Sequence, residues 1–256
     1  MAKLSKAEFK QQEQIFQLLQ KDKLTEQEVW SIYQDINPGF IDNLQKGVYF
    51  TPIELAADFA LMSYRYGNVV DVCAGIGGLS HCMKLRDTYE GSIKSFTCIE
   101  LNPEFVKIGK KLLPEANWIC ANAFDKELWS NITSTLPGNK FDVLISNPPF
   151  GKCPSNAKPD WLNYTEELEL MVMELALKFS NNAYMILPAG SIEFKEEPYY
   201  QRVKSNKVEK FRKKNSQFFF QESMSISSDI YKQDWKNLAS INVECVEICM
   251  NESDYT

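Results

Sequence analysis

Residues 68–80, NVVDVCAGIGGLS, pass from β-branched residues through acidic Asp71 into a turn holding Gly75, Gly77 and Gly78, and then into helix-compatible sequence. A strand that ends in a glycine turn and opens a helix is where a doubly wound sheet places a nucleotide. The glycines permit positive φ and let the backbone approach a ligand closely. The spacing is not the dinucleotide fingerprint, because Gly75-Ile76-Gly77-Gly78 has no third glycine at the expected place. Asp71 would repel a pyrophosphate and attract a ligand with a positive amino group and a sulfonium.

Working outward, the period of the sequence alternates. NVVDVCAG (68–75), SFTCIEL (95–101), NWICAN (117–122), FDVLIS (141–146) and AYMILPA (183–189) are short and rich in β-branched or aromatic residues. The intervals hold LSHCMKLR, PEFVKIGKKLL, DKELWSNI and TEELELMVMELALKF, each compatible with a helix. This βαβ repeat predicts a parallel sheet covered on both faces. SQFFFQESMSI (216–226) and ASINVECVEICM (239–250) supply two further strands. The fold class is therefore α/β and Rossmann-like: a mostly parallel seven-stranded sheet with one antiparallel strand, behind an N-terminal helical extension. Residues 1–45 form the extension and 46–256 the main domain.

The extension carries apolar stripes at Phe9, Ile15, Phe16, Leu18 and Leu19, and at Val29, Trp30, Ile32 and Tyr33. Thr25 followed by Glu28 is a capping-box pattern for the second helix. TPIELAADFALMSYRY opens another helix, with Thr51 the expected N-cap and Pro52 the first helical residue.

Composition excludes several chemistries. The 256 residues contain one histidine, His81, and seven cysteines without a CxxC pair. That removes His-rich metal sites and nearly removes Ser-His-Asp or Cys-His catalysis. Neither a metal nor a disulfide framework is expected. No run approaches the about 18 apolar residues of a spanning helix, and MAKLSKAEFKQQEQ lacks a signal-peptide core, so no membrane association and a cytoplasmic location are expected. The net charge of −6 leaves room for a local basic face.

Glu100, ending the second strand in CIELNPEF, can accept both hydroxyls of a ribose. Together with Asp71 and the glycine turn it points to S-adenosylmethionine as cofactor. Adenine would stack on Ile76, Leu101 and Phe124. VYFTP, DVCAGIGG, CIELN and SNPPFG, in this order, resemble the class I S-adenosylmethionine-dependent methyltransferases. More closely they look like those that methylate the N6 amine of adenine in DNA. The resemblance covers roughly residues 45–190 by motif. It implies that Phe50, Thr51 and Pro52, with Tyr49 alongside, wrap the methionine moiety. Cys73 and Ala74 complete the cofactor loop, and Ala123 and Phe124 follow Asn122. In CANAFD this chain has Asn122 where the family usually has Asp, the acceptor for the cofactor adenine's amino proton; an Asn carbonyl accepts the same bond.

Asn147-Pro148-Pro149-Phe150 follows the fourth strand. An aromatic amine is a poor nucleophile because its lone pair is delocalised into the ring. The Asn147 side-chain carbonyl and the Pro148 main-chain carbonyl, set against its two N–H bonds, draw the nitrogen toward tetrahedral geometry. The tandem prolines hold φ and donate no competing N–H, and Phe150 offers a face for a planar base. The same four residues serve, by resemblance, on guanine amines in RNA and, with Tyr for Phe, on a glutamine amide. The resemblance in FTP favours adenine in DNA, flipped out or single-stranded. RNA or protein amine methylation and a non-catalytic binding module are the alternatives.

Two loops leave the strand ends on the substrate side, residues 151–165 and 193–215. The second carries Arg202, Lys204, Lys207, Lys210, Arg212, Lys213 and Lys214 against Glu209, which suits phosphates or a solvated helix. Tyr199, Tyr200 and Trp161 are candidate stacking residues. Cys153 is expected to be a bystander. With little chain left for a recognition domain, a separate specificity partner or the N-terminal helices would supply sequence selectivity.

Overall fold

The switch from strand to helix at Gly78 recurs through the chain and orders the architecture. The computed structural model describes residues 6–41, 49–64, 66–87, 91–189, 191, 194–195, 201–202, 204–219, 221–227, 229–231, 234–236 and 243–250. Helices α1 (Lys6–Leu19) and α2 (Glu26–Asp35), a single turn α3 (Pro38–Ile41) and α4 (Ile53–Met62) precede β1 (Gly67–Val72). There follow α5 (Gly78–Asp87), β2 (Ile93–Glu100), α6 (Pro103–Leu112), β3 (Asn117–Cys120), α7 (Lys126–Thr133), β4 (Phe141–Ser146), α8 (Leu168–Phe179) and β5 (Ser180–Pro188). A minimal strand pair, β6 (Phe194–Lys195) and β7 (Gln201–Arg202), leads to α9 (Asn206–Lys214), β8 (Gln221–Ser227) and β9 (Val243–Cys249).

The main sheet has the order β3-β2-β1-β4-β5-β9-β8. Pairs among β1 to β5 are parallel, while β9 runs antiparallel to both neighbours. This is the expected α/β sheet of seven strands with one reversed. The order turns at β1 and β4, so a crevice opens there beyond the strand ends. Strand residues alternate between two cores. Val69, Val143, Ile145, Tyr184 and Ile186 face α2, α4 and α5, and Val70, Val72, Leu144, Ala183 and Met185 face α7 and α8.

Helices α1 and α2 share the first of these cores through Ile15, Val29, Ile32 and Tyr33, joined by Ile36 at the C-cap of α2. Thr25 Oγ1 accepts from the Glu28 N–H and Glu28 Oε2 from the Thr25 N–H, the capping box expected of α2. Gln12 ties the two helices, donating to the Asp35 carbonyl at 2.8 Å and accepting from the Asn37 N–H at 2.9 Å.

Two local expectations are corrected. Thr51 does not cap α4; Pro52 occupies the N-cap position with no side-chain hydrogen bond, because the Thr51 hydroxyl is engaged by Asn147. The segment expected to be strand from 216 begins pairing only at Gln221. The Phe218 N–H closes a turn onto the Asn215 carbonyl, and the Phe218 side chain packs on the second core.

Trp118 wedges β3 between α6 and the glycine turn. A Cβ on Gly109 would lie 2.2 Å from its ring, and one on Gly77 3.0 Å. The Trp118 indole donates to the Leu113 carbonyl at 3.1 Å, which pins the ring. Gly109→Ala is therefore expected to destabilise the protein by about 1–3 kcal/mol through overpacking, despite the roughly 1 kcal/mol that alanine gains in a helix. Thermal or urea unfolding checks this; an unchanged or raised midpoint would remove the wedge.

Candidate active site

Parallel register brings the functional segments to one level. Val72 lies beside Ile99 on one side and Ser146 on the other, and Glu100 beside Cys120. Residues 73–75, 100–102, 121–124 and 147–150 thus leave the sheet together and enclose a cleft of about 460 Å³. A recess of about 40 Å³ lined by Thr51, Asp71 and Ala74 adjoins it, sharing Tyr49, Cys73 and Asn147 with the main cleft.

The glycine turn forms the floor. Gly75 and Gly77 have φ of +57° and +89°, and Phe50 stands over Gly75, its ring 3.4 Å from where a Cβ would sit. Cys73 also has positive φ, +61°, a conformation that costs a non-glycine residue roughly 1–3 kcal/mol and clusters at functional sites. Burial pushes the Cys73 thiol above its ordinary range, so it is no thiolate nucleophile.

Two acids flank this floor. Asp71 alternates with Val70 and Val72 and so points toward α5, where Ser80 Oγ donates to Oδ2 at 2.7 Å. Its Oδ1 is buried without a hydrogen-bond partner. Burial raises the Asp71 carboxyl to about 7. Glu100 accepts the Gly75 N–H on Oε2 and the Asn102 N–H on Oε1, both at 2.8 Å, which locks the second strand end to the glycine turn. Desolvation raises its pKa while these bonds oppose the rise. Each oxygen retains a lone pair for a ribose hydroxyl.

The third wall is held by two indoles. Trp129 donates to the Ala123 carbonyl at 2.7 Å and Trp161 to the Phe124 carbonyl at 2.9 Å. Asn122 Oδ1 accepts the Phe124 N–H at 3.0 Å, leaving one lone pair for a cofactor adenine. Leu101 is 64% exposed at the rim.

Opposite stands the Asn-Pro-Pro-Phe corner. Asn147 Nδ2 donates to Thr51 Oγ1 at 2.9 Å. With the amino group so held, Oδ1 is the end of the amide left as acceptor. After Phe150 the chain is clamped to α8: Gly151 N–H donates to Glu169 Oε2 at 3.0 Å, Leu168 N–H to the Gly151 carbonyl, and Cys153 N–H to the Glu166 carbonyl. Cys153 is buried.

The structure thus collects Tyr49, Phe50, Cys73, Gly75, Glu100, Leu101, Asn122, Ala123, Phe124 and Asn147 to Phe150 around one cleft, with Thr51, Asp71 and Ala74 at the recess. Pro52 and Gly77 line neither; the first begins α4 and the second packs on Trp118. Ile76 is no adenine platform, since its side chain lies in the first core. Trp161 holds the Phe124 loop and packs on Phe179. Tyr199 and Tyr200, and the side chain of Arg202, fall outside the described residues. Motif reading missed Tyr33, Phe105, Trp235 and Val243 at these walls. Tyr33 donates to the Ile76 carbonyl at 3.2 Å and lies on His81 with ring centroids 4.8 Å apart. Spacing carried no signal for it, because a tyrosine on an amphipathic stripe reads as core.

The family model of the methyltransferase small domain matches residues 55–158. A search of curated proteins gives no match. Among solved structures, a candidate RNA methyltransferase from Pyrococcus horikoshii superposes with TM-score 0.50 at 19% identity, covering 88% of this chain and 99% of its own. The M protein of the type I restriction enzyme EcoKI superposes with TM-score 0.56 at 14% identity over 96% of this chain. A type I restriction-modification methyltransferase subunit from Streptococcus thermophilus gives 0.55 at 13% over 88%. The fold is that of a class I methyltransferase. The chain spans 55% and 49% of these two subunits.

The fold and the family match imply S-adenosylmethionine as the cofactor, and the residues fit it. An orphaned carboxylate oxygen on Asp71 suits an ammonium, Glu100 a ribose, and the Leu101 and Phe124 side an adenine. Among the described residues, no helix is long and apolar enough to cross a membrane, and no cluster of three His, Cys, Asp or Glu is placed to hold a metal.

With its carboxyl near 7 when free, Asp71 is largely neutral below that pH, whereas a bound ammonium favours the carboxylate. Cofactor affinity is expected to rise with pH between about 6 and 8. Asp71→Asn is expected to weaken binding roughly tenfold and flatten the profile. Calorimetric titration with S-adenosylmethionine checks both; a flat wild-type profile would dismiss Asp71 as the ammonium partner.

Proposed function

We propose that this protein transfers a methyl group to the exocyclic N6 amine of adenine in DNA. The observation that carries the reading is the Asn147 to Phe150 corner facing the glycine turn, Glu100 and Asn122 across one cleft. Asn147 and Phe50 to Pro52 also follow the motif order to which the N6-adenine resemblance belongs.

When bound, the cofactor supplies an electrophilic methyl on a sulfonium. Asn147 Oδ1 and the Pro148 carbonyl accept the two N–H bonds of the substrate amine and expose its lone pair. Phe150, partly buried against the first core, stacks the base beneath them. The bound cofactor would supply the methyl group and leave as the thioether, while the corner would hold the amine with its lone pair toward that methyl and the surplus proton would pass to solvent. Cys73, whose thiol is held protonated, and the buried Cys153 take no part in the transfer.

The base reaches the corner flipped out of a duplex or from a single strand. Helix α9 supports a nucleic acid on the open side. It is anchored by Val208 and Phe211 and sits against the segment that clamps the corner and leads into α8, with Lys207 3.6 Å from Glu169 and Lys210 3.4 Å from Glu166. The exposed Lys210–Glu166 pair is worth under about 1 kcal/mol and yields readily to phosphates. The neighbouring type I subunits suit a specificity partner in a separate chain. The alternative of RNA as substrate is favoured by one observation, the candidate RNA methyltransferase among the structural neighbours. The free cysteines suit a cytoplasmic setting.

Incubation with labelled S-adenosylmethionine and duplex DNA, single-stranded DNA, RNA or protein is expected to label DNA, with N6-methyladenine as the product nucleoside. Asn147→Ala is expected to lower the rate by at least about 100-fold. Label in RNA or protein alone would overturn the substrate, and a fully active Asn147→Ala the mechanism. Replacing Lys210, Lys213 and Lys214 with Gln is expected to leave cofactor affinity unchanged. The slope of log affinity for DNA against log salt is expected to become shallower by roughly 0.7–0.9 for each phosphate no longer neutralised. An unaltered slope would place the nucleic acid elsewhere.

A further inference from the structure

Thr51 stands where a helix cap is expected and does not cap. It precedes Asn147 by 96 residues, yet its hydroxyl accepts the Asn147 amide N–H at 2.9 Å. Beside it, Pro52 starts α4 without a side-chain bond, so the orphan amides of that helix are not what holds Thr51 in place. Thr51 lines only the recess, next to Asp71 and Asn147, and not the main cleft.

An amide has two chemically opposite ends of nearly equal shape. If the Asn147 side chain turned over, it would present two N–H donors to a substrate amine that itself donates, and the amine's lone pair would be engaged rather than released. Asn147 therefore needs an acceptor on its amino side. The residues that follow it, Pro148 and Pro149, have no N–H and leave its orientation to groups outside the corner. Tyr49 and Phe50 precede Thr51 and line the main cleft, so the same short segment that walls the cofactor side reaches the catalytic amide.

We propose that Thr51 is the positioning residue that fixes the Asn147 amide with its carbonyl toward the substrate amine. The proposal rests on the methyl-transfer reading of the corner and deepens it: the segment before α4 contributes to the chemical step and not only to cofactor binding. It also accounts for why a threonine at a helix start leaves its helix uncapped.

The test compares wild type, Thr51→Val, Thr51→Ser and Asn147→Ala. Valine matches threonine in shape and removes the hydroxyl; serine keeps it. With S-adenosylmethionine held saturating for each variant, Thr51→Val is expected to lower kcat by roughly 10- to 100-fold, with KM for the nucleic acid changed less than about threefold, and Thr51→Ser to restore most of kcat. A retained kcat in Thr51→Val or an equal loss in Thr51→Ser would each overturn the proposal. An active Asn147→Ala would instead sink the reading of the corner. A readout independent of turnover keeps the two apart: the side-chain NH₂ protons of Asn147, assigned by NMR from their loss in Asn147→Ala, are expected to exchange with water about tenfold faster in Thr51→Val. Equal exchange in wild type and Thr51→Val would show that the bond does not hold the amide in solution.

Discussion

Everything functional in this molecule depends on the parallel pairing of β1 with β4, two strands that are far apart in the chain. Their register sets Asp71 beside Ile145 and Val72 beside Ser146, and Ser146 Oγ adds a 2.6 Å bond to the Val72 carbonyl at the very end of the pair. One residue further, β1 becomes the glycine turn and β4 becomes Asn147. Because side chains alternate along a strand, a slip of one residue would send Asp71 to the opposite face and carry Asn147 off the level of Glu100. The pairing therefore aligns chemistry as well as backbone.

Around that seam the site is built mainly from backbone groups that side chains hold in place. Glu100 joins the second strand end to the turn through two N–H donors, and the two indoles of Trp129 and Trp161 hold consecutive carbonyls of the 122–124 loop. Glu169, almost fully buried, accepts from Gly151 and from Ser191, and so anchors the corner to the exit of β5. The concentration of these bonds gives a rigid wall, which suits the proposed reaction, in which two acceptors are placed against one amine.

The fold was largely legible because its signals are local. Strand runs of six to eight residues, separated by four helical intervals, determine a parallel sheet almost irrespective of detail, since right-handed crossovers leave few other topologies. The capping box at Thr25 was equally readable, both partners lying within one turn. Phe218 and Phe219 read as strand because aromatic runs favour β structure, whereas the end of α9 needs a turn there. Ile76 reads as a ligand residue from its place in the glycine motif, yet an apolar residue beside a core has a larger gain from burial than from a half-open cleft.

By itself, the sequence determined the order of strands and helices, the glycine turn with its flanking acids, and the identity of the Asn-Pro-Pro-Phe corner. These depend on residue type and on spacing within a single unit. Only the tertiary structure decided which end of the Asn147 amide meets its partner, that Tyr33 reaches the cofactor turn from α2, and that Trp235 and Val243 close the cleft. Those interactions join groups from separate elements of the chain. Each is selected by three-dimensional packing and hydrogen-bond complementarity, which local propensity and motif spacing do not encode.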